Sequence, residues 1–286
     1  MKQCGNFLII ANETKDPELI YSHRLEACIK ACGRNASVIS GGDYSEVGLI
    51  DMHILDGIDM VVVMGGDGTM LRVSHLLGGR NVPMIGVNLG TVGFLTEVVK
   101  EEIEDMVHAL ITGDYFIEPR MMLEADVYRG GSLSKENIHA LNEVVIAREI
   151  NLRLIALKIY VNGIPFDTSE ADGVLISTPT GSTGYNLSAG GPIVNPSAKL
   201  LVMTPVSPYS LSRRSVVFGE EDRITLELVE KRKNSENSAI ASFDGLENYR
   251  MQIGDRVEVR TSADSLQLVR LETTSVYETL RRKIGV

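Results

Sequence analysis

Apolar residues along the first 115 positions recur at two spacings. Phe7–Ala11, Ser37–Ser40, Val61–Met64 and Val82–Asn88 are short apolar runs of strand length. Between them the spacing becomes helical. Asp16 caps one predicted helix, Pro17 fits its first turn and Gly33 ends it. Met70–Leu77 has apolar residues at helical intervals, and Glu101–Ile111 is a helix that starts acidic and is stopped by Gly113. Strand and helix alternate, which predicts a parallel sheet with helices packed on it. Val61-Val62-Val63-Met64 carries no charge and reads as a strand buried on both faces.

The pattern changes near Glu118-Pro119. Met122–Arg129, Ala140–Arg148 and Leu152–Val161 read as strands, and Asn162-Gly163 is a hairpin turn signal. Gly173–Thr178, Lys199–Thr204, Ser215–Phe218, Arg223–Val229, Ala239–Phe243, Arg256–Thr261 and Leu266–Leu271 continue the series. Lys231–Ser238 is polar and predicts an exposed hairpin tip, and Val276–Ile284 predicts a helix. The expected fold is an α/β N-terminal domain with a parallel, Rossmann-like sheet over residues 1–117. A β-rich C-terminal domain follows over 118–272, and a C-terminal helix over 273–286 packs back on the first domain.

Composition narrows the classes. The chain has 286 residues, enough for two domains with sizeable cores. A net charge of −10 argues against a general nucleic-acid binder, and no apolar run approaches a membrane span. The early run Phe7–Ile10 is too short for a signal-peptide core, so a first strand and a cytoplasmic protein are expected. Cys28 and Cys32 sit four apart on a predicted helix, but neither another cysteine nor a nearby histidine completes a metal site; with Cys4 they read as reduced thiols.

Three stretches carry candidate chemistry. Gly65-Gly66-Asp67-Gly68-Thr69 joins a strand to a helix, where an α/β protein presents backbone N–H groups and a helix N-terminus to phosphate. A carboxylate there repels phosphate, so Asp67 either binds a metal, accepts a proton or hydrogen bond from an attacking hydroxyl, or simply serves a tight turn. Thr178-Pro179-Thr180-Gly181-Ser182-Thr183-Gly184-Tyr185 is dense in small hydroxyls and amides that suit ribose and phosphate, and Tyr185 can stack on a base. Asn142-Glu143 places an amide beside a carboxylate at the mouth of a strand.

In order, these stretches together with Ser188-Ala189-Gly190-Gly191-Pro192-Ile193 and Ser242-Phe243-Asp244-Gly245 match the motifs of the NAD kinase family, which the chain resembles over roughly residues 5–284. The resemblance implies phosphoryl transfer from ATP to the 2′-hydroxyl of the adenosine ribose of NAD. It implies Asp67 as the proton acceptor and Gly66 and Gly68 along the diphosphate. Asn142 and Glu143 are implied at the adenine-side nucleoside and Asp172 at the nicotinamide side. Thr183, Gly184, Tyr185, Asn186, Leu187 and Ser188 would line the dinucleotide pocket, and Arg72 and Arg153 would reach phosphates. A divalent metal, Mg²⁺ in most members, and a homodimer or homotetramer are also implied.

Four positions depart from the family pattern: Gly184 where alanine is usual, Glu170 where many members are basic, Leu246 where glutamine is common, and Tyr209 in place of a frequent histidine. The first motif alone is shared with diacylglycerol- and sphingosine-type lipid kinases. A lipid kinase needs a membrane-facing surface or an apolar acyl pocket; the sequence shows no basic amphipathic helix, and the Ser/Thr/Gly-rich loop suits a polar dinucleotide better. A non-catalytic dinucleotide sensor is the other alternative, against which the presence of Asp67 counts.

Overall fold

The computed structural model describes residues 4–41, 52–90, 93–149, 153–210, 212–230, 238–271 and 280–281. Two compact units emerge, Met1–Pro119 with Leu266–Val286, and Arg120–Ser265. Most of the Lys231–Ser238 tip and most of the C-terminal helix lie outside the described residues; Leu280 and Arg281 are helical.

In the first unit β1 (Asn6–Asn12), β2 (Asn35–Gly41), β3 (Met60–Gly65) and β4 (Met84–Asn88) are parallel in the order β2-β1-β3-β4. The short β5 (Val98–Val99) pairs with the end of β4. The helices are α1 (Ile20–Ala31), α2 (Asp67–Leu77) and α3 (Ile103–Thr112). From β1 the crossover to β2 runs one way along the sheet, and from β3 to β4 it runs the other. Right-handed crossovers therefore put α1 and α2 on opposite faces. One cluster joins Leu25 and Ile29 of α1 and Met106 and Leu110 of α3 to Phe7, Ile9, Met60 and Val62. Burying each such side chain is worth about 1.5–3 kcal/mol.

Two boundaries move for local reasons. The first helix begins at Ile20, after a 3-10 turn in which Glu18 and Leu19 take positive φ, 59° and 56°. Asp16 does act as a cap, but on Tyr21 N–H (3.0 Å) and Ser22 N–H (2.9 Å), so the chain must turn once before the helix runs. β4 begins at Met84 rather than Val82, because Pro83 has no N–H to give the ladder; its carbonyl accepts from Val61 N–H instead.

The second unit is a two-sheet β-structure. Its strands are β6 (Phe116–Arg129, shared with the first unit), β7 (Ser132–Ala140), β8 (Glu143–Arg148), β9 (Ile155–Val161), β10 (Ile164–Ala171), β11 (Gly173–Ser177), β12 (Leu200–Val206), β13 (Val216–Gly219), β14 (Ile224–Val229), β15 (Ala239–Phe243), β16 (Glu247–Met251) and β17 (Arg256–Arg270, also shared). One antiparallel sheet has the order β13-β12-β11-β8-β15-β16. In the other, β10, β9, β14 and β17 lie side by side and β6 pairs with β7. Val144, Ile146, Val174, Ile176 and Phe243 from the first sheet share a core with Leu123, Leu157, Ile159 and Leu226 from the second. The hairpin at Asn162-Gly163 forms, with positive φ at both residues. The stretch expected as one strand from Ala140 to Arg148 breaks at Leu141-Asn142, where the chain turns between β7 and β8. Arg256–Thr261 and Leu266–Leu271 are parts of one strand.

Candidate functional site

The glycine turn of the first unit is built around side chains that leave no room for a Cβ at Gly65 or Gly66. A Cβ on Gly65 would lie 2.4 Å from Thr69 Oγ1, which accepts a hydrogen bond from Asn12 Nδ2 at 3.1 Å. Gly66 precedes α2 in an extended conformation, and its carbonyl accepts from Thr69 and Met70 N–H. The Lys15 ammonium lies 2.5 Å from where a Cβ on Gly66 would stand. Gly68 is exposed, with open space around it. The turn thus combines an uncapped helix N-terminus, bare backbone and one lysine, a set that favours anions.

Asp67 is the first residue of α2 and half-buried. Its Oδ2 accepts from Phe94 N–H at 2.7 Å and its Oδ1 from Leu95 N–H at 3.1 Å. A Cβ on Gly93 would fall 1.6 Å from Oδ1, so this glycine is needed for the carboxylate to reach those amides. The Asn88 and Thr96 side chains fix the loop after β4: Asn88 Nδ2 donates to Thr96 Oγ1, and Gly93 N–H donates to the same oxygen. The carboxylate is therefore oriented by backbone on both oxygens, each with lone pairs to spare. Arg72 lies half-buried further along α2.

In the second unit Asn142 and Glu143 stand where β8 begins. Asp244, in the Asp-Gly turn after β15, accepts from Leu141 N–H (2.6 Å), Asn142 N–H (2.8 Å) and Glu143 N–H (2.9 Å). Thr178 closes the other side, with its Oγ1 donating to Leu141 carbonyl at 2.6 Å and its N–H donating to Asn142 carbonyl at 2.9 Å. Gly181 must be a glycine, because a Cβ there would lie 2.1 Å from Asn142 carbonyl oxygen. The backbone of Tyr185 donates to the Glu143 carboxyl. Even so, burial first and the Asp244 charge second push the Glu143 acid up to about 8. Asn142 Oδ1 and Glu143 Oε2 are buried and accept no hydrogen bond among the described residues. A Cβ on Gly184 would stand 3.1 Å from Glu143 Oε2 and 3.2 Å from Asn142 Nδ2, so the glycine keeps this pair uncrowded.

The loop residues divide by exposure. Tyr185 is 41% exposed and Ser188 is also exposed, while Thr183, Gly184 and Leu187 are half-buried. Asn186 is fully buried, donates to Ser182 and Pro192 carbonyls and accepts from Thr204 Oγ1 at 2.7 Å, so it holds the loop from inside. Asp172 and Arg153 are not brought to Asn142 and Glu143. Glu143 pairs with Ser177 at one end of β11, whereas Asp172 precedes the other end and is ion-paired with Arg148 at 2.6 Å. The five residues of β11 separate them by about 17 Å. Arg153 is exposed in the connection after β8, at the Asp172 end.

Two contributors escaped the reading of residues. Asp244 lies in a quoted motif, but its capping of three amides more than a hundred positions away depends on the pairing of β8 with β15. Lys15 gives no signal in sequence and is recognised only by its place over Gly66.

Comparisons with known proteins follow the same division. Residues 8–115 match the model of the ATP-NAD kinase N-terminal domain, and residues 141–271 match that of the ATP-NAD kinase C-terminal domain. The NAD kinase of Lachnoclostridium phytofermentans is 39% identical over 98% of each chain, and that of Acetivibrio thermocellus is 38% identical over 96% of each. Among solved structures, yeast NADH kinase complexed with NADH superposes with a TM-score of 0.89 at 24% identity, covering 99% of this chain and 88% of that one. An Archaeoglobus fulgidus NAD kinase in complex with ATP gives 0.74 at 24% identity, covering 98% of each.

Proposed function

The chain belongs to the ATP-NAD kinase family, and from that membership we infer that it phosphorylates NAD with ATP as donor, making NADP at the 2′-hydroxyl of the adenosine ribose. The observation that carries this reading is the match of both domain models in order, each covering one of the two built clusters, the Asp67 turn and the Asn142–Glu143 end of β8.

Asp67 accepts the proton of the attacking hydroxyl. Phosphoryl transfer through a loose transition state needs alignment and charge compensation more than covalent help. A carboxylate oriented by two backbone amides orients the hydroxyl in turn and takes its proton late. Gly66, Gly68 and the N-terminus of α2 lie along the diphosphate, with Lys15 and Arg72 reaching phosphate oxygens. Asn142 and Glu143 hold the adenine-side nucleoside, which Thr183, Gly184, Tyr185, Leu187 and Ser188 surround. Asp172 takes the nicotinamide side and Arg153 a phosphate, an assignment that requires the dinucleotide to be extended.

No group of three or more His, Cys, Asp or Glu side chains converges among the described residues, so these residues offer no all-protein metal cage. A divalent cation such as Mg²⁺ fits only as the counter-ion of the nucleotide phosphates, with one or two carboxylates at most, and would neutralise charge on the transferring group. Among the described residues no helix is long and apolar enough to cross a membrane. We assign the chain to the cytoplasm and to a homodimer or homotetramer; exposed Ile164 and Phe166 on β10 and Val217 on β13, both edge strands, suit a second copy.

Incubation of the purified chain with NAD, ATP and Mg²⁺ tests the reading. NADP is the expected product. Phosphorylation of a lipid alcohol in vesicles without NADP formation would replace it with the lipid-kinase alternative, and NAD binding without turnover would make the chain a sensor.

A further inference from the structure

We propose that Asp244 is a positioning residue for NAD, one that holds Asn142 and Glu143 in place and keeps Glu143 a neutral acid, so that Glu143 meets the nucleoside as a hydrogen-bond donor. The inference rests on the NAD kinase reading and goes beyond it in naming a new residue and a protonation state.

Hydrogen-bond partners divide the charge between the two acids. Three backbone N–H groups donate to the Asp244 carboxylate: Asn142 and Glu143 on Oδ1, and Leu141 on Oδ2. A neutral acid would turn an O–H toward one of them, whereas a carboxylate satisfies all three. The negative charge of the pair thus belongs to Asp244. Glu143 is the poorer site for an anion. Among the described residues its donor is the Tyr185 amide and its Oε2 is sealed from water without a partner, while its carboxyl faces the charge of Asp244. From its own strand comes Asn142, from the β15 turn Asp244, and from the hydroxyl-rich segment Gly184 and the Tyr185 N–H. Among the described residues no cation acts on the Glu143 carboxyl. The diphosphate of NAD adds further negative charge when it binds, so the bound state favours the proton too.

Sequence explains why the same contacts both build and tune the site. The Asp-Gly turn places Asp244 in a left-handed conformation (φ 51°), and Gly245 follows at φ 72°. This sharp reversal aims the carboxylate back at the first residues of β8, the strand that pairs with β15. One side chain therefore fixes the backbone of both nucleoside-binding residues and sets the electrostatic surroundings of one of them.

The test follows the side-chain carboxyl of Glu143 by ¹³C NMR in the ligand-free protein, its signal identified by its loss in Glu143→Gln. The expected titration midpoint is about 8 in the wild type, and lower by roughly one pH unit or more in Asp244→Asn. That variant keeps an acceptor oxygen for the Asn142 and Glu143 amides while removing the charge. A wild-type midpoint in the ordinary carboxylate range overturns the proposal, as does a midpoint that Asp244→Asn leaves in place; a role confined to structure would not move it. Calorimetric titration with NAD supplies the second arm. Wild-type affinity should fall above pH 8, by up to about tenfold per pH unit, and Glu143→Gln should bind NAD with a flat profile. Affinity that rises with pH, or a Gln variant as weak as Glu143→Ala, overturns the donor role. Absence of NADP formation at pH 7 in the same preparation would instead defeat the functional reading, and the carboxyl titration would still decide the protonation state.

Discussion

Asp67 and Glu143 are both carboxyl groups at the start of a regular element, yet their surroundings differ in donors, burial and neighbouring charge. Asp67 opens a helix and receives two backbone N–H donors, one on each oxygen. Glu143 opens a strand, receives one, and faces a second acid. A helix N-terminus stabilises an anion, whereas a desolvated strand end beside a carboxylate favours a neutral group. The contrast shows how backbone donors, burial and a neighbouring charge together give one side-chain chemistry two different settings.

The comparison breaks most sharply at Gly93. Gly93→Ala puts a methyl group where Asp67 Oδ1 now lies, so the carboxylate loses its two amides. Turnover should fall by roughly 10²-fold or more while NAD affinity stays near wild type, which kcat and calorimetry measure separately.

On the second unit's side, Asp244→Ala leaves three backbone N–H groups without their acceptor. We expect a stability loss of roughly 2–4 kcal/mol in denaturant titration, together with a raised KM for NAD.

Glu143→Gln sharpens the contrast through pH. Folding raises this acid from 4.5 to about 8, so between those values the folded chain keeps a proton that the unfolded chain has released. The wild type therefore loses stability as pH rises from 4.5 to 8 and no further above it. The variant should be more stable than the wild type at pH 9 by several kcal/mol, a gain that vanishes at pH 4. Thermal or urea unfolding at the two pH values reads it, and a gain of equal size at both would contradict the raised acid.

The smallest effect is expected at Lys15, an exposed side chain over Gly66. Lys15→Ala should raise the KM of a phosphate-bearing substrate by roughly 3–10-fold, the worth of one exposed charge-assisted contact, with the effect shrinking at high salt.

How much of this was legible in sequence varied with burial. β1, β3 and β15 lie close to their apolar runs because their side chains are held in the core, where chain composition must show it. β7 reads Ser-Leu-Ser-Lys-Glu-Asn-Ile-His-Ala and is exposed along most of its length. It is a strand because β6 offers it a pairing edge, which no periodicity within β7 reveals. β10 and β16 were missed for the same reason, being edge strands rich in polar residues. The Asp67 turn was legible because strand, glycines and helix are contiguous. The pairing of Asp244 with Glu143 was not, since a separation of 101 positions is closed only by strand register. Asn186 carries a second role that the loop's composition does not announce: it clamps the loop from inside through Ser182, Pro192 and Thr204, contacts closed only by the fold.

The most direct test of the central claim is single-turnover phosphoryl transfer by Asp67→Asn at saturating NAD across a range of Mg²⁺ concentrations. Asparagine keeps the shape and can occupy the same turn, but it accepts no proton. The account predicts transfer slowed by roughly 10²–10⁴-fold, no recovery at high Mg²⁺, and NAD affinity unchanged or slightly improved. Transfer near the wild-type rate, or a rate restored by added Mg²⁺, would contradict Asp67 as the proton acceptor.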